Sequence, residues 1–344
     1  MTDWSRGYTA GYRLFLVNPL TWEDEGLVSR ASGATMESDL SKPLLQSGSV
    51  SFDLDAGETF GEGYYRLALT ATQDGGSQRH DVWTMLFTST TRNVQRGHVM
   101  VPAVGRSVLW PASRTAMEVG SYAPSGVDGA QYVQQILGGV LRAPVMNYGS
   151  FGLSENVVFD VGTKVLDAAW KVLAAGGHTL EVDGRGIVYI VPQRTQPTIV
   201  LDKASGLAFT SSTITRDASN VPNRYKAISG SDSATATNDD IGSPTSVTNK
   251  GYFDDVVDKA PKRVNGETLQ AYAERRLAEE STIRIPMTYN REWNPSVGVG
   301  HIVRLDLPEI ELVGDCRVKR QAITCSSTGI TVAENAEMEE RTWR

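Results

Sequence analysis

The sequence predicts a mainly β fold with an α+β insertion: two tube-like β-barrel or sandwich domains plus a small α+β domain. Three features predict it. Alternating apolar and polar runs bounded by turn residues fill the first third of the chain, and helical periodicity followed by a tight hairpin occupies a short central stretch. Strand-like runs then resume and continue to the C-terminus.

Tyr12 to Val17 reads as the first strand. Ser49 to Leu54 is another, with Val50, Phe52 and Leu54 on one face and Ser49, Ser51 and Asp53 on the other. Tyr64 to Thr72 enters the turn Gln73-Asp74-Gly75-Gly76, and Asp81 to Thr88 returns; Asp-Gly supplies the positive φ angles that a hairpin needs. His98 to Val104 continues the series, with no helical stripe between these strands. Residues 1–125 are thus expected to form the first β domain.

After Pro124 the period changes. Asp128 stands at an N-cap position, with Gln131 three residues on, and Tyr132, Val133, Ile136 and Leu137 form a stripe ending at Gly138-Gly139. A second helix is predicted from about Thr163 to Ala175, with Val165, Leu166, Ala169, Trp170 and Leu173 on one face. His178 to Val182, the turn Asp183-Gly184-Arg185-Gly186 and Ile187 to Val191 then make a hairpin. Residues 126–195 form the small α+β domain.

Strands resume at Thr198 to Asp202, Leu207 to Thr215 and Arg224 to Ser229. Ser229 to Gly251, rich in Ser, Thr, Asp, Asn and Gly, reads as a long exposed loop, a type that is commonly functional. A helix over about Gly266 to Glu280 buries Leu269, Tyr272, Ala273 and Leu277. Thr282 to Tyr289, His301 to Leu307, Cys316 to Cys325 and Gly329 to Glu334 are again strands. Residues 196–344 form the second β domain, with the polar loop and helix inserted at about 229–281.

At 344 residues the chain exceeds the usual size of one hydrophobic core. Its 33 basic and 40 acidic residues give a formal charge of −7. Stable nucleic-acid binding requires clustered positive charge, and only Arg317, Lys319 and Arg320, then Lys262 with Arg263, come close. Two cysteines, Cys316 and Cys325, are too few for a disulfide scaffold or a four-thiolate zinc site and are expected as free thiols in strands. The apolar run Leu14 to Val17 is far shorter than a signal-peptide core or a membrane span, so a soluble protein made in a cytoplasm is expected.

No chemical motif emerges. His80, His98, His178 and His301 flank hairpins or begin strands, where a solvent-facing or edge position is expected. There is no G-x-S-x-G, H-E-x-x-H or phosphate-binding G-x-x-x-x-G-K-[ST]. Asp239-Asp240 and Asp254-Asp255 are adjacent carboxylates, but neighbours on an extended chain point opposite ways and read as solvated loop charge. Asn238 to Gly242 lacks the twelve-residue calcium pattern. Trp83 and Trp170 read as core, and Trp22, Trp293 and Trp343 as core or interface, with Trp4 and Trp110 elsewhere along the chain. Neither catalytic, cofactor nor metal residues are assigned.

The run VLDAAWKVLAAGGHTLEVDGRGIVYIVPQ resembles the small α+β domain of phage tail baseplate hub proteins. NVPNRYKAISGSD (Asn220 to Asp232), DIGSPTSVTNKGYF (Asp240 to Phe253), ETLQAYAERRLAEES (Glu267 to Ser281) and the closing NPSVGVGHIVRLDLP and CRVKRQAIT are similar to that family in order. His301 stands where the family often has an acid. The resemblance covers about Val165 to the C-terminus. It implies a non-enzymatic virion component, a homotrimer whose six β domains form a ring joining the tail tube to the tip. Implied partners are further copies of the chain, the tail tube protein, the distal tail protein and tail fibre, spike or tape-measure proteins. DNA would pass through without stable binding, the acidic balance keeping phosphates off the wall, and Ser229 to Gly251 would touch a neighbouring tail protein. Two other readings are a carbohydrate-binding adhesin of the tail tip, which needs clustered exposed aromatics, and a tail-associated wall hydrolase.

Overall fold

The computed structural model describes residues 8–54, 61–90, 93–95, 98–202, 212–261, 267–308 and 312–343. Trp4, the Lys262–Arg263 pair, Gly266, the first part of the expected strand Leu207 to Thr215 and the side chain of His98 lie outside them. The fold is mainly β, with large antiparallel sheets and a small α+β insertion. It packs as two compact units. Met1–Ser211, Tyr289–Val313 and Arg317–Asn335 make the first, and Ser212–Thr288, Gly314–Cys316 and Ala336–Arg344 the second.

In the first unit six antiparallel strands pair in a closed cycle: Thr9–Val17 with Gly63–Gln73, then Gly76–Thr90, His98–Arg106, Gln46–Leu54, Asp24–Asp39 and back to Thr9–Val17. Closure removes the unpaired edges that an open sheet would expose. The inside is filled. Leu14, Val50, Phe52, Leu69, Trp83, Met85, Phe87, Val101 and Ala103 have no solvent exposure, as a small barrel packed by its own side chains requires.

Gly63–Gln73 is buried on both faces. Tyr65, Leu67 and Leu69 enter the barrel core, whereas Tyr64 belongs to a second core built with the α+β segment. That second core gathers Val133 and Leu137 of helix Gly129–Gly138, Leu166, Ala169 and Leu173 of helix Val165–Ala175, and Leu180, Val188 and Ile190 of the hairpin. Trp22, Val108 and Leu109 from the barrel side join it. Asp128 caps the first helix as expected, accepting from the Ala130 and Gln131 amides at 2.9 and 3.3 Å. The hairpin His178–Val182 and Val188–Pro192 gains a parallel third strand, Val145–Asn147.

Two elements depart from expectation near the N-terminus. Asp24–Asp39 is a 16-residue strand whose buried side chains, Ala31, Ala34, Met36 and Ser38, are mostly too small to stand out by hydrophobicity. Trp110–Arg114 is a one-turn helix started by Pro111, which fits the first turn because its missing N–H has no partner there.

In the second unit Asp232–Thr237, Arg224–Ser229 and Asp255–Asp258 form a three-stranded sheet, on which helix Leu269–Glu280 packs Tyr272, Ala273 and Leu277 against Tyr225, Ala227 and Ala236. The expected exposed loop Ser229 to Gly251 is corrected here. It contains the strand Asp232–Thr237 and the short helix Val247–Lys250, and it is pinned by a polar core. Asn238, Thr245 and Ser246 have no exposure and Ser243 has 2%. Asn238 donates to Ser243 Oγ at 2.8 Å, and the Thr245 and Thr342 hydroxyls meet at 2.7 Å. Hydrogen bonding makes burial of such polar residues tolerable, so a composition typical of loops folds inward.

The C-terminal strands are long. Thr282–Glu292 and Gly329–Arg341 alternate buried and exposed residues, each burying one face, and both Leu312–Ser326 and Thr282–Glu292 pair with Gly329–Arg341. Cys316 and Cys325 lie buried in Leu312–Ser326.

Candidate functional site

The hairpin turn Asp183 to Gly186 is seated on the barrel by its backbone. Trp22 Nε1 donates to the Arg185 carbonyl at 2.8 Å and Thr84 Oγ1 to the Gly184 carbonyl at 2.9 Å. Gln46 Nε2 donates to the Val182 carbonyl at 3.2 Å. Arg66, 3% exposed, reaches the Arg185 and Trp22 carbonyls, Thr84 Oγ1 and the carboxylate of Asp24, the last at 2.7 Å. Gly184 is required by this approach, because a Cβ there would stand 2.0 Å from the Asp81 carbonyl oxygen.

Beside the seated turn lies a cleft of about 520 Å³, lined by the barrel, the hairpin and the segment 293–301. It brings together His80, Asp81, Glu181, Asp183 and His301, a convergence that their scatter in sequence did not suggest. Each carboxylate is already engaged. Arg194 grips both oxygens of Glu181 at 3.1 and 2.9 Å, and His301 Nε2 stands 3.7 Å away, at ion-pair range. Burial works against ionised Glu181, but His301 and Arg194 more than offset it and hold its pKa below the ordinary value. Arg79 links Asp81 and Asp24 at 2.7 and 2.6 Å.

Asp183 accepts from the Ile187 amide at 2.8 Å and the Tyr189 hydroxyl at 3.0 Å, closing its own turn. Burial raises its pKa nonetheless. Burial also lowers that of His80. Acids and bases in this cleft are matched to one another, the arrangement of a structural ion-pair network rather than of a free base beside a nucleophile.

The remaining predicted residues disperse. His178, expected at a solvent-facing or edge position, begins the edge strand of its sheet but is 7% exposed; its Nδ1 lies 2.7 Å from the Gly176 carbonyl, and its ring packs against Phe151. Asp239 and Asp240 are exposed, and Asp240 accepts from the Gly242 amide. Asp254 holds Lys250 at 3.1 Å, whereas Asp255 binds Arg224 and Lys226. Trp22 and Trp293 are both core, at 6% and 4% exposure. Among the described residues no group of His, Cys, Asp and Glu is arranged to hold a metal ion, and no helix is long and apolar enough to cross a membrane.

Large apolar side chains are exposed at several places outside the cleft. Ile241 of the pinned segment, and Tyr252 and Phe253 directly after it in the second unit, are 78%, 51% and 54% exposed. Val119, Tyr122, Val158 and Val161 belong to the α+β part of the first, where Val158 pairs with Tyr122 across a two-stranded ribbon.

No protein-family model and no curated protein matches the sequence. Solved structures do match the fold. A tail protein from Neisseria meningitidis MC58 superposes with a TM-score of 0.57 at 13% identity, covering 97% of each chain. The 43 kDa tail protein of prophage MuSo2 from Shewanella oneidensis gives 0.60 at 11% identity, covering 95% of this chain and 98% of that one. An Escherichia coli component of the type VI secretion system, described as similar in structure to T4 bacteriophage tail proteins, gives 0.52 at 9% identity over 91% of this chain and 75% of its own. Over nearly its whole length, the chain has the fold of these tail proteins.

Proposed function

We propose that the chain is a structural component of a phage tail baseplate, a hub whose copies form a ring-shaped conduit between the tail tube and the tail tip. The observation that carries this reading is the likeness of fold to tail proteins over 97% and 95% of the chain, which leaves almost none of it for an added catalytic domain. The closed barrel fits the same role. Its interior is packed solid, so a passage for DNA must lie between copies, and a ring closed by rotation limits the assembly to a fixed size.

In this reading three copies assemble, each giving two tube-like β domains, 1–125 and 196–344, with 126–195 as the α+β element between them. The six domains match the six-fold tail tube. DNA passes without stable binding, and the partners are the tube protein, the distal tail protein and a fibre, spike or tape-measure protein. The segment Ser229 to Gly251 touches a neighbouring tail protein, through exposed Ile241 and with Tyr252 and Phe253 just beyond it. Their exposure on a preorganised support favours an interface, because little ordering entropy is lost on docking. Synthesis in the host cytoplasm precedes assembly into the virion.

Negative-stain imaging of the purified protein tests the proposal. Class averages should show three-fold rings with a stain-filled centre, and compact particles without a hole would contradict it.

A further inference from the structure

Two arginines of the first unit share one indole. The Arg106 guanidinium lies 4.8 Å and that of Arg114 5.5 Å from the centre of the Trp110 ring. Cation–π contact holds both in place but leaves their charge unneutralised. Among the described residues neither guanidinium pairs with a carboxylate, and Arg114 is exposed. Lys164 adds a third cation, its Nζ donating to the Arg114 carbonyl at 3.2 Å.

Beyond Arg114 the chain enters a ribbon in which the Met117 amide donates to the Thr163 carbonyl at 2.8 Å. Two residues further along each strand, Val119 and Val161 are 81% and 82% exposed. Glu118 and Asp160 are exposed on this ribbon as well, and pair with neither arginine. A guanidinium offers a planar fork that matches a carboxylate. An occupant suited to this surface carries carboxylates beside an aliphatic side chain.

The second unit presents that combination. Asp239, Asp240 and Ile241 are consecutive and exposed in the pinned segment, and neither carboxylate has an ion-pair partner among the described residues. Their support is fixed. Asp240 Oδ1 accepts from the Gly242 amide at 2.8 Å, and Asn249 Nδ2 donates to the Ile241 and Ser243 carbonyls at 2.9 and 2.7 Å. A knuckle held in this way loses little entropy on docking.

We infer that the occupant is a second copy of this chain: Asp239 and Asp240 of one copy meet Arg106 and Arg114 of the next, with Ile241 against Val119 and Val161. This contact rests on the ring reading above and supplies its subunit interface. It joins unlike surfaces, the first unit of one copy to the second unit of another, and such a contact repeats by rotation and can close a ring. DNA suits the surface less well, since three cations are few for a phosphate track and the exposed valines have no counterpart there.

Sedimentation velocity of the full chain tests the contact by charge exchange. Arg106→Glu with Arg114→Glu, and Asp239→Arg with Asp240→Arg, should each weaken self-association by at least about tenfold, because like charges then meet. A chain carrying all four substitutions restores opposite charge at every contact and should regain most of the native association. Arg114→Glu and Asp239→Arg, alone and together, repeat the test at exposed positions should half-buried Arg106 be needed for folding. A native chain that stays monomeric overturns the ring reading and this contact with it. Native assembly that survives both reversals, or that the full exchange fails to recover in a folded chain, overturns the contact alone. So does labelled duplex DNA that binds the native chain and not Arg114→Glu while assembly is unchanged, an outcome that assigns the arginines to phosphates.

Discussion

Arg291 and Glu334 face each other across neighbouring strands with no side-chain exposure, joined by two hydrogen bonds of 3.0 and 2.5 Å. Gln321 adds a third, donating to Glu334 at 2.8 Å and to the Val297 carbonyl at 3.0 Å. A buried pair of this kind is costly to break, since removing one partner strands the other charge. Arg291→Met should destabilise the protein by about 3–5 kcal/mol, and pairing it with Glu334→Leu should recover much of the loss. Urea midpoints at constant m-value measure both.

Gly184 makes a sharper demand. Its added Cβ would meet the Asp81 carbonyl oxygen at 2.0 Å and carbon at 2.6 Å, backbone atoms that have nowhere to move. Gly184→Ala should therefore lift the hairpin from the barrel, at a cost of about 1–3 kcal/mol or more. Hydrogen exchange should report faster opening at 178–192. Gly138→Ala, where nothing lies within 4 Å, should leave stability unchanged or slightly raised.

The cysteines should be silent. Cys316 and Cys325 are 1% and 4% exposed, and burial pushes the Cys325 thiol up to about 12. Reactivity requires the thiolate. A thiol reagent at pH 8 should label neither residue in the native protein and both after denaturation.

Asp255 titrates low for a local reason. Its hydrogen bond to Arg224, then that to Lys226, outweigh burial and hold its pKa at about 2. Since an unfolded Asp titrates near ~3.9, the stabilisation from Asp255 is complete above that value and disappears as pH falls through about 2. The pair is partly exposed, so the effect on stability is small. Arg224→Leu should raise the carboxyl pKa toward the ordinary value, as followed by carbon-detected NMR titration.

How much of this was legible in the sequence depended on the physical signal each element carries. The hairpins at Asp74-Gly75 and Asp183 to Gly186, the Asp128 cap and the stripe of Val165–Ala175 announce themselves through turn chemistry or period, and the structure has them close to the expected residues. Asp24–Asp39 was missed because a strand that buries Ala31, Ala34 and Ser38 lacks the large β-branched residues that mark strands. Ser229 to Gly251 was misread because polar residues usually signal solvent, whereas Asn238, Ser243 and Thr245 satisfy one another inside. The cleft was invisible for another reason. His80, Glu181 and His301 are brought together only by tertiary folding, and no spacing between them is fixed locally.

The central claim is that copies of this chain complete one another around a hole. Sedimentation equilibrium over a hundredfold range of concentration measures it most directly. A single species of three times the 37.3 kDa chain mass is the predicted result, and a monomer of 37.3 kDa at every concentration would contradict the account.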